Sequence, residues 1–164
     1  MPANSEYTLT ASDGWANSAS PLTATFHIKT HEYASAVGQR LLLPLGFFQT
    51  GSKSPVFSTA RRVHPVYFRY AAEYYDDLRI VAPRAFTVEA VPAAQSIHQG
   101  VAVSDVKAEK DGNAIRISRT FMLGGNFFPV DQYPALKHFY QQAATAEDAQ
   151  ISLKRAKSEP ASPQ

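Results

Sequence analysis

Residues 101–123 contain two runs of alternating apolar and polar side chains on either side of the triplet Asp111-Gly112-Asn113. These three residue types tolerate the positive backbone φ angles of tight hairpin turns, and alternation is typical of a strand with one buried face. The segment therefore predicts an antiparallel hairpin. The apolar side chains that we expect to face the interior are Val101, Val103, Val106, Ile115, Ile117 and Phe121.

The chain before this hairpin contains further short alternating runs separated by turn-forming residues. Residues 22–30 alternate cleanly, and residues 63–83 predict two strands around a polar turn near residues 74–77. A series of short strands with regular turns is typical of β-sandwiches and barrels. We therefore predict an all-β fold, an antiparallel β-sandwich (immunoglobulin- or fibronectin-like, or barrel-like) of about eight strands with one short C-terminal helix.

The predicted helix lies near the end of the chain, where the apolar spacing changes from two residues to three or four. Asp131 is a candidate N-cap, and Pro134 fits the first helical turn, where its missing N–H has no cost. We expect a helix over about 132–144 and a last strand over about 149–154. The apolar face of the predicted helix carries Tyr133, Leu136, Phe139, Tyr140 and Ala143.

This apolar helix face has two interpretations. It can close one end of the sandwich core as a lid, with the last strand pairing at a sheet edge. Alternatively, it is a docking surface for another domain. The lid interpretation is the more economical, because a sandwich has open ends that a short amphipathic helix can cover.

Length and composition limit the function classes that are open to this chain. Its 164 residues suit one domain, which we place at residues 1–155, and the polar residues 156–164 predict a disordered tail. The net charge is +2 with scattered basic residues, which argues against a nucleic-acid partner. No apolar run approaches the roughly 20 residues that span a bilayer, so we expect no membrane span.

The sequence contains no motif that indicates a catalytic site. The chain has no cysteine, so it has no thiolate nucleophile and no cysteine metal ligand. It also lacks the sequence motifs of serine hydrolases, phosphate-binding loops and calcium-binding loops. His98 falls in an apparent polar loop, and no histidine has an acidic partner nearby in sequence. We therefore expect a protein that is not an enzyme and that has no catalytic residue, cofactor or metal.

Two places are candidates for a ligand-binding or docking surface. The first is the run of acidic and aromatic residues Glu73, Tyr74, Tyr75, Asp76 and Asp77. Carboxylates at a turn beside aromatic rings could bind calcium or one side of a sugar, although such residues are more often simply solvated. The second is Trp15, which lies in a polar loop. It is either an exposed aromatic contact or a plug at the edge of the core.

Several stretches, taken in order, resemble a known domain of unknown function. They are SPLTATFHIKTHEYASAVGQRLLLPLGFF, ARRVHPVYFRYAAEYYDDLRIVAPRAFTVEAVP and IRISRTFMLGGNFFPVDQYPALKHFYQQAATAEDAQISLKR. The chain is similar, over about residues 22–155, to the C-terminal β-sandwich domain of bacterial transglutaminase-like proteins. In those proteins the module follows a papain-like transglutaminase-like domain.

The resemblance implies an accessory role rather than an activity. The catalytic cysteine, histidine and aspartate belong to the transglutaminase-like domain, and this chain has no cysteine to replace them. The implied function is to dock on or position that neighbouring domain, in an exported or periplasmic bacterial protein. An alternative is a module that binds a glycan or another cell-envelope polymer, as β-sandwiches with exposed aromatic and acidic residues can do.

Overall fold

The computed structural model describes residues 5–30, 33–48 and 57–156, which form two compact units, Met1–Tyr33 and Ala34–Gln164. The expectation of a single domain over residues 1–155 stays a prediction. The expected disordered tail lies outside the described residues, apart from Ala156. The strands of the first unit are β1 (Ser5–Asp13) and β2 (Thr23–Thr30).

The first unit is an antiparallel hairpin in which β1 pairs with β2, with an irregularity between Leu9 and Ala11. The connecting loop begins at Gly14, whose φ is +86° and whose amide donates a 2.8 Å hydrogen bond to the Asp13 carboxylate. A Cβ at this position would lie 2.3 Å from the carbonyl oxygen of Pro21. Both the φ angle and this close approach require glycine.

The second unit contains two four-stranded antiparallel sheets, and together they form the predicted β-sandwich. The strands of this unit are β3 (Ser35–Val37), β4 (Arg40–Pro44), β5 (Val66–Tyr67), β6 (Ala72–Val81), β7 (Phe86–Ala90), β8 (Gln95–Gln99), β9 (Ala102–Asp111), β10 (Ala114–Leu123), β11 (Phe127–Phe128) and β12 (Gln150–Arg155). We call the sheet in the order β6-β10-β9-β8 the first sheet, and the sheet in the order β3-β4-β12-β7 the second sheet. A short ribbon pairs β11 with β5.

The helix α1 spans Tyr133–Glu147 and follows a 3-10 turn at Val130–Gln132. Pro134 lies in the first turn of the helix, as predicted. The predicted N-cap is wrong, because the 3-10 turn moves the start of the helix and makes Gln132 the N-cap, with no side-chain cap hydrogen bond. The last strand also differs from expectation, since β12 lies inside its sheet between β4 and β7 rather than at an edge.

The β9–β10 hairpin confirms the turn prediction but corrects part of its inward face. Gly112 has a φ of +59°, and Asp111 pairs with Ala114 across the turn. Ile115, Ile117, Phe121 and Val106 are buried, as expected. Val101 lies before the strand and is exposed, and Val103 faces outward. The residues that share the buried face with Val106 are Ala102, Ser104 and Ala108.

The apolar face of α1 is buried within the second unit, as the lid interpretation expects of the helix, although the last strand does not lie at a sheet edge. Phe139 is fully buried and lies 5.6 Å from Phe121 of β10, measured between ring centroids. Tyr133 packs edge-on against Phe57, and its hydroxyl donates a 2.6 Å hydrogen bond to the Thr59 carbonyl. The buried residues of this core cluster are Phe57, Val66, Ala102, Phe121, Leu123, Phe128, Tyr133, Leu136, Phe139 and Ala143.

Candidate functional site

The acidic and aromatic residues that the sequence placed at a turn lie on strand β6, an edge of the first sheet. The turn prediction is wrong, because β6 pairs with β10 without interruption from Ala72 to Val81 and the chain instead bends at residues 69–70. Tyrosines favour an extended strand, and alternation sends the neighbouring carboxylates to opposite faces. The run is therefore divided between two surfaces.

The outward-facing members of this run are each bonded to a neighbour. The Tyr75 hydroxyl donates a short hydrogen bond to the Glu73 carboxylate, and this bond raises the pKa of Tyr75. Arg116 of β10 donates two hydrogen bonds to Asp77, of 3.0 and 2.7 Å, which lower the pKa of that carboxyl. These carboxylates thus form protein contacts that a ligand would have to replace.

The inward-facing Asp76 belongs to a buried cluster of charges. Its carboxylate accepts a 2.5 Å hydrogen bond from Arg119 Nε of β10, while Arg119 Nη1 donates a 2.6 Å bond to Glu147 at the end of α1. The side chains are 15%, 5% and 5% exposed, respectively. The Glu147 carbonyl also accepts a 3.0 Å bond from the Gly46 amide. The cluster joins the first sheet to the C-terminal end of the helix.

Tyr74 also faces the helix side of the sheet but remains partly exposed. Its ring lies 6.2 Å from that of Phe121, which in turn contacts Tyr140 on α1 at 5.7 Å. Burial of the Tyr140 hydroxyl raises its pKa to about 12, with a smaller contribution from Tyr74. Tyr74 is therefore part of the margin of the aromatic core.

Trp15 lies in the loop of the first unit, and 72% of it is exposed there. On the adjacent strands, Leu9 pairs with Phe26, and both are exposed as well. Within its own unit, Trp15 is therefore an exposed aromatic side chain rather than a buried plug. It belongs to a different unit from the five residues on β6.

A polar cluster that the sequence reading missed lies on the outward side of strands β8 and β9. His98 is on β8 rather than in a loop, and its Nε2 lies 3.1 Å from Asp105 Oδ1. Ser96 donates a 2.5 Å hydrogen bond to the same oxygen. The signal was available in the sequence, because a turn at Gly100 (φ +59°) sets a register in which Ser96 pairs with Asp105.

A groove of about 300 Å³ adjoins this cluster on the outward face of the first sheet. Asp105 pairs across the strands with both Ser96 and Thr120, while Lys107 pairs with Ser118. These side chains, together with Ala94, line the groove. Its lining combines short polar side chains with a larger share of apolar surface, and it contains both a carboxylate and an ammonium group.

An aromatic pair occupies the outward side of the short ribbon. Tyr67 of β5 pairs with Phe127 of β11, and both rings are exposed. The adjacent pair, Val66 and Phe128, points inward and is buried. We call Tyr67 and Phe127 the ribbon surface. Alternation on a two-stranded ribbon thus produces an exposed apolar surface directly over the aromatic core.

A third polar cluster lies on the second sheet, at an irregularity where β12 shifts register against β7 between Ser152 and Leu153. Glu89 falls at this irregularity and accepts two bonds from Arg40, of 2.6 and 2.8 Å, and one from Ser152 of 2.7 Å. These bonds, those from Arg40 first, lower the pKa of Glu89 to about 2. The cluster fastens β4, β12 and β7 together on their outward side.

Within residues 5–30, 33–48 and 57–156, no three histidine, cysteine, aspartate or glutamate side chains are grouped so that they could hold a metal ion. No helix within these same residues has the length and apolar character needed to cross a membrane.

The two sheets and the helix form an antiparallel β-sandwich domain. Within each of its polar clusters, the side chains are hydrogen-bonded mainly to one another. Residues 39–153 match the family described as "Domain of Unknown Function with solved-structure structure (DUF3858)". The match covers most of the chain, and the chain belongs to this family. A comparison with curated protein sequences finds no significant match.

A similar fold occurs in a solved crystal structure from Parabacteroides distasonis, described as that of a candidate protease. The TM-score is 0.59 at 12% sequence identity, and the match covers 73% of this chain. The chain corresponds to only 24% of the length of the Parabacteroides protein. At this identity the likeness concerns the fold.

Proposed function

We propose that this chain is a non-catalytic accessory domain that docks on a transglutaminase-like catalytic domain of a larger bacterial protein and positions it. The observation that carries the proposal is that a similar fold makes up only 24% of a much longer chain, one described as a candidate protease. The sequence resemblance to the module that follows transglutaminase-like domains supports the same arrangement and an exported or periplasmic protein.

The surface that suits this docking best is the ribbon surface. Tyr67 is 68% exposed and Phe127 is 57% exposed, so the pair presents apolar area that burial against another domain would stabilise. Aromatic side chains are enriched at the centres of protein interfaces. The pair is also held in place, because Val66 and Phe128 of the same ribbon are buried in the core. A rigid aromatic surface loses little conformational entropy on docking.

The first experiment is to measure the mass of the native polypeptide that contains this segment, by mass spectrometry or immunoblotting of the source cells. We expect a polypeptide several times larger than 18.0 kDa. A native polypeptide near 18.0 kDa would contradict docking within one chain.

The docking surface is then tested in the larger native protein with Tyr67→Ser combined with Phe127→Ser. We expect the thermal stability and the activity of the catalytic domain to fall, because its contact with the accessory domain is weakened. Tyr75→Ser is the matched control, since Tyr75 is also a tyrosine that is 68% exposed on the same unit. If the control has the larger effect, the interface is at β6, and if neither variant has an effect, the positioning role is wrong.

A further inference from the structure

The groove on the outward face of the first sheet is lined by side chains that the strand register places in ordered rows. Ser96, Asp105 and Thr120 occupy one continuous row across β8, β9 and β10, and Lys107 and Ser118 form part of the next row. Short hydroxyl side chains therefore lie between longer charged ones, and this difference in length creates the groove of about 300 Å³. Such a volume is at the lower end of small-molecule sites, which run from roughly 300 to 1,000 Å³.

The charges beside the groove are already paired with one another. The Asp105 carboxylate accepts a hydrogen bond from Ser96 and lies 3.1 Å from His98 Nε2, and these two contacts orient it. Lys107 Nζ lies 2.8 Å from the Glu109 carboxylate. A phosphate or another anion would have to compete with Glu109 for the ammonium group. A cation would have to compete with the histidine and the serine for the carboxylate.

A neutral polyhydroxyl ligand can bind without separating either charge from its partner, because a carboxylate that accepts from Ser96 and His98 has acceptor sites left. The hydroxyls of Ser118 and Thr120 can each donate and accept, and the Asp105 carboxylate can accept further hydrogen bonds from ligand hydroxyls. From this combination of short hydroxyl side chains, paired charges and an open groove, we propose that the outward face of strands β8, β9 and β10 binds a neutral saccharide chain. The proposal is independent of the docking proposal, because no residue of the ribbon surface takes part in it.

The test is an NMR titration of the full chain with neutral oligosaccharides of different linkage, namely cello-, chito- and laminari-oligosaccharides, at millimolar concentrations. We expect amide shifts that saturate with at least one of them and are confined to β8, β9 and β10. Ser118→Phe fills the groove and should weaken binding at least about ten-fold, because most ligand contacts are blocked. Thr87→Phe, an exposed position facing outward on β7, is the matched control and should bind as the unaltered chain does.

A second variant keeps the test decisive if the bulky replacement disturbs folding. Thr120→Val keeps the shape of the side chain and removes only its hydroxyl, so binding should weaken about five-fold while the amide spectrum stays native-like. The proposal is overturned if no neutral oligosaccharide shifts these amides, if the shifts lie elsewhere, or if Thr120→Val and Ser118→Phe both bind normally. Binding of anionic sugars alone would also overturn it.

Discussion

Replacing Arg119 with methionine should be among the most destabilising single changes in the second unit. The guanidinium lies between Asp76 and Glu147, with hydrogen bonds of 2.5 and 2.6 Å, and its side chain is only 5% exposed. Methionine has a similar length and fills much of the same space. The substitution therefore tests the charge rather than the volume of the side chain.

The expected magnitude follows from these contacts. Each hydrogen bond to a charged group contributes about 1.5–3 kcal/mol, and removing one partner from a buried ion pair costs about 3–5 kcal/mol. Arg119→Met leaves two carboxylates, those of Asp76 and Glu147, without their shared cation in a largely buried site. We expect the free energy of unfolding to fall by about 3–5 kcal/mol, a large part of the roughly 5–15 kcal/mol that holds a typical domain folded.

Urea denaturation followed by the circular dichroism of α1 measures this change. Arg116→Met is the matched control, because Arg116 lies on the same strand and pairs with Asp77 in an exposed salt bridge. Exposed ion pairs contribute little, so this control should have a midpoint close to that of the unaltered chain. Equal effects of Arg119→Met and Arg116→Met would refute the argument that burial makes the cluster important.

The remaining predictions concern titration and the inward face of β9. The pKa of Tyr140 is raised from 10.0 to about 12 in the folded state. The stability that this tyrosine contributes is therefore complete below pH 10 and is lost as the pH rises towards 12. Tyr140→Phe should remove this loss, so that alkaline unfolding curves become flatter over the same range. Because the folded-state pKa of Glu89 is lowered from 4.5 to about 2, its contribution is present above pH 4.5 and is lost as the pH falls through 2. Arg40→Ala should raise the pKa of Glu89 towards 4.5, as measured by NMR of its carboxyl carbon. Val106→Ala should cost about 2 kcal/mol in urea denaturation, while Val101→Ala should change little.

Each of these predictions has a distinct contradicting result. An alkaline unfolding curve that is the same with and without Tyr140→Phe would mean that its hydroxyl titrates normally in the folded protein. A Glu89 carboxyl that keeps its low pKa in Arg40→Ala would assign the shift to Ser152 instead. A larger cost for Val101→Ala than for Val106→Ala would reverse the assignment of the buried face of β9, where Val106 is 2% and Val101 51% exposed.

The features that the sequence predicted well are those in which local chemistry and tertiary packing agree. Gly112 supplies the positive φ of the β9–β10 turn, and the alternation of Ile115, Ile117 and Phe121 follows directly from pairing on one buried face. The helix face also followed from spacing alone. Pro134 marks the start of α1, because its ring suits the first turn and nothing else in a helix.

The turn prediction for residues 74–77 is wrong because the local composition of this segment and its tertiary contacts favour different structures. Successive acidic residues predict a turn, yet Asp76 points inward, where it pairs with Arg119, forty-three residues away in sequence. No local pattern reports such a partner. The inverse holds for His98 and Asp105, seven residues apart, whose proximity follows from the turn at Gly100. The pair is predictable in principle, but the polar composition of β8 favours a loop over a strand.

On the inward face of β9, too, the local sequence pattern and the tertiary packing disagree, here over which apolar residues are buried. Sequence alternation favours Val101 and Val103 as core residues, but a helix backbone lies much closer to a sheet when the facing residues are small. Ala102 and Ser104 therefore occupy the buried positions, and Ala102 shares its core cluster with Phe139 and Ala143 of α1. The valines that a hydrophobicity count assigns to the core face outward instead, because the register of the hairpin is set by the turn. The register of the hairpin thus places Ala102 and Ser104 on the buried side of β9, where Ala102 lies in one core cluster with residues of α1.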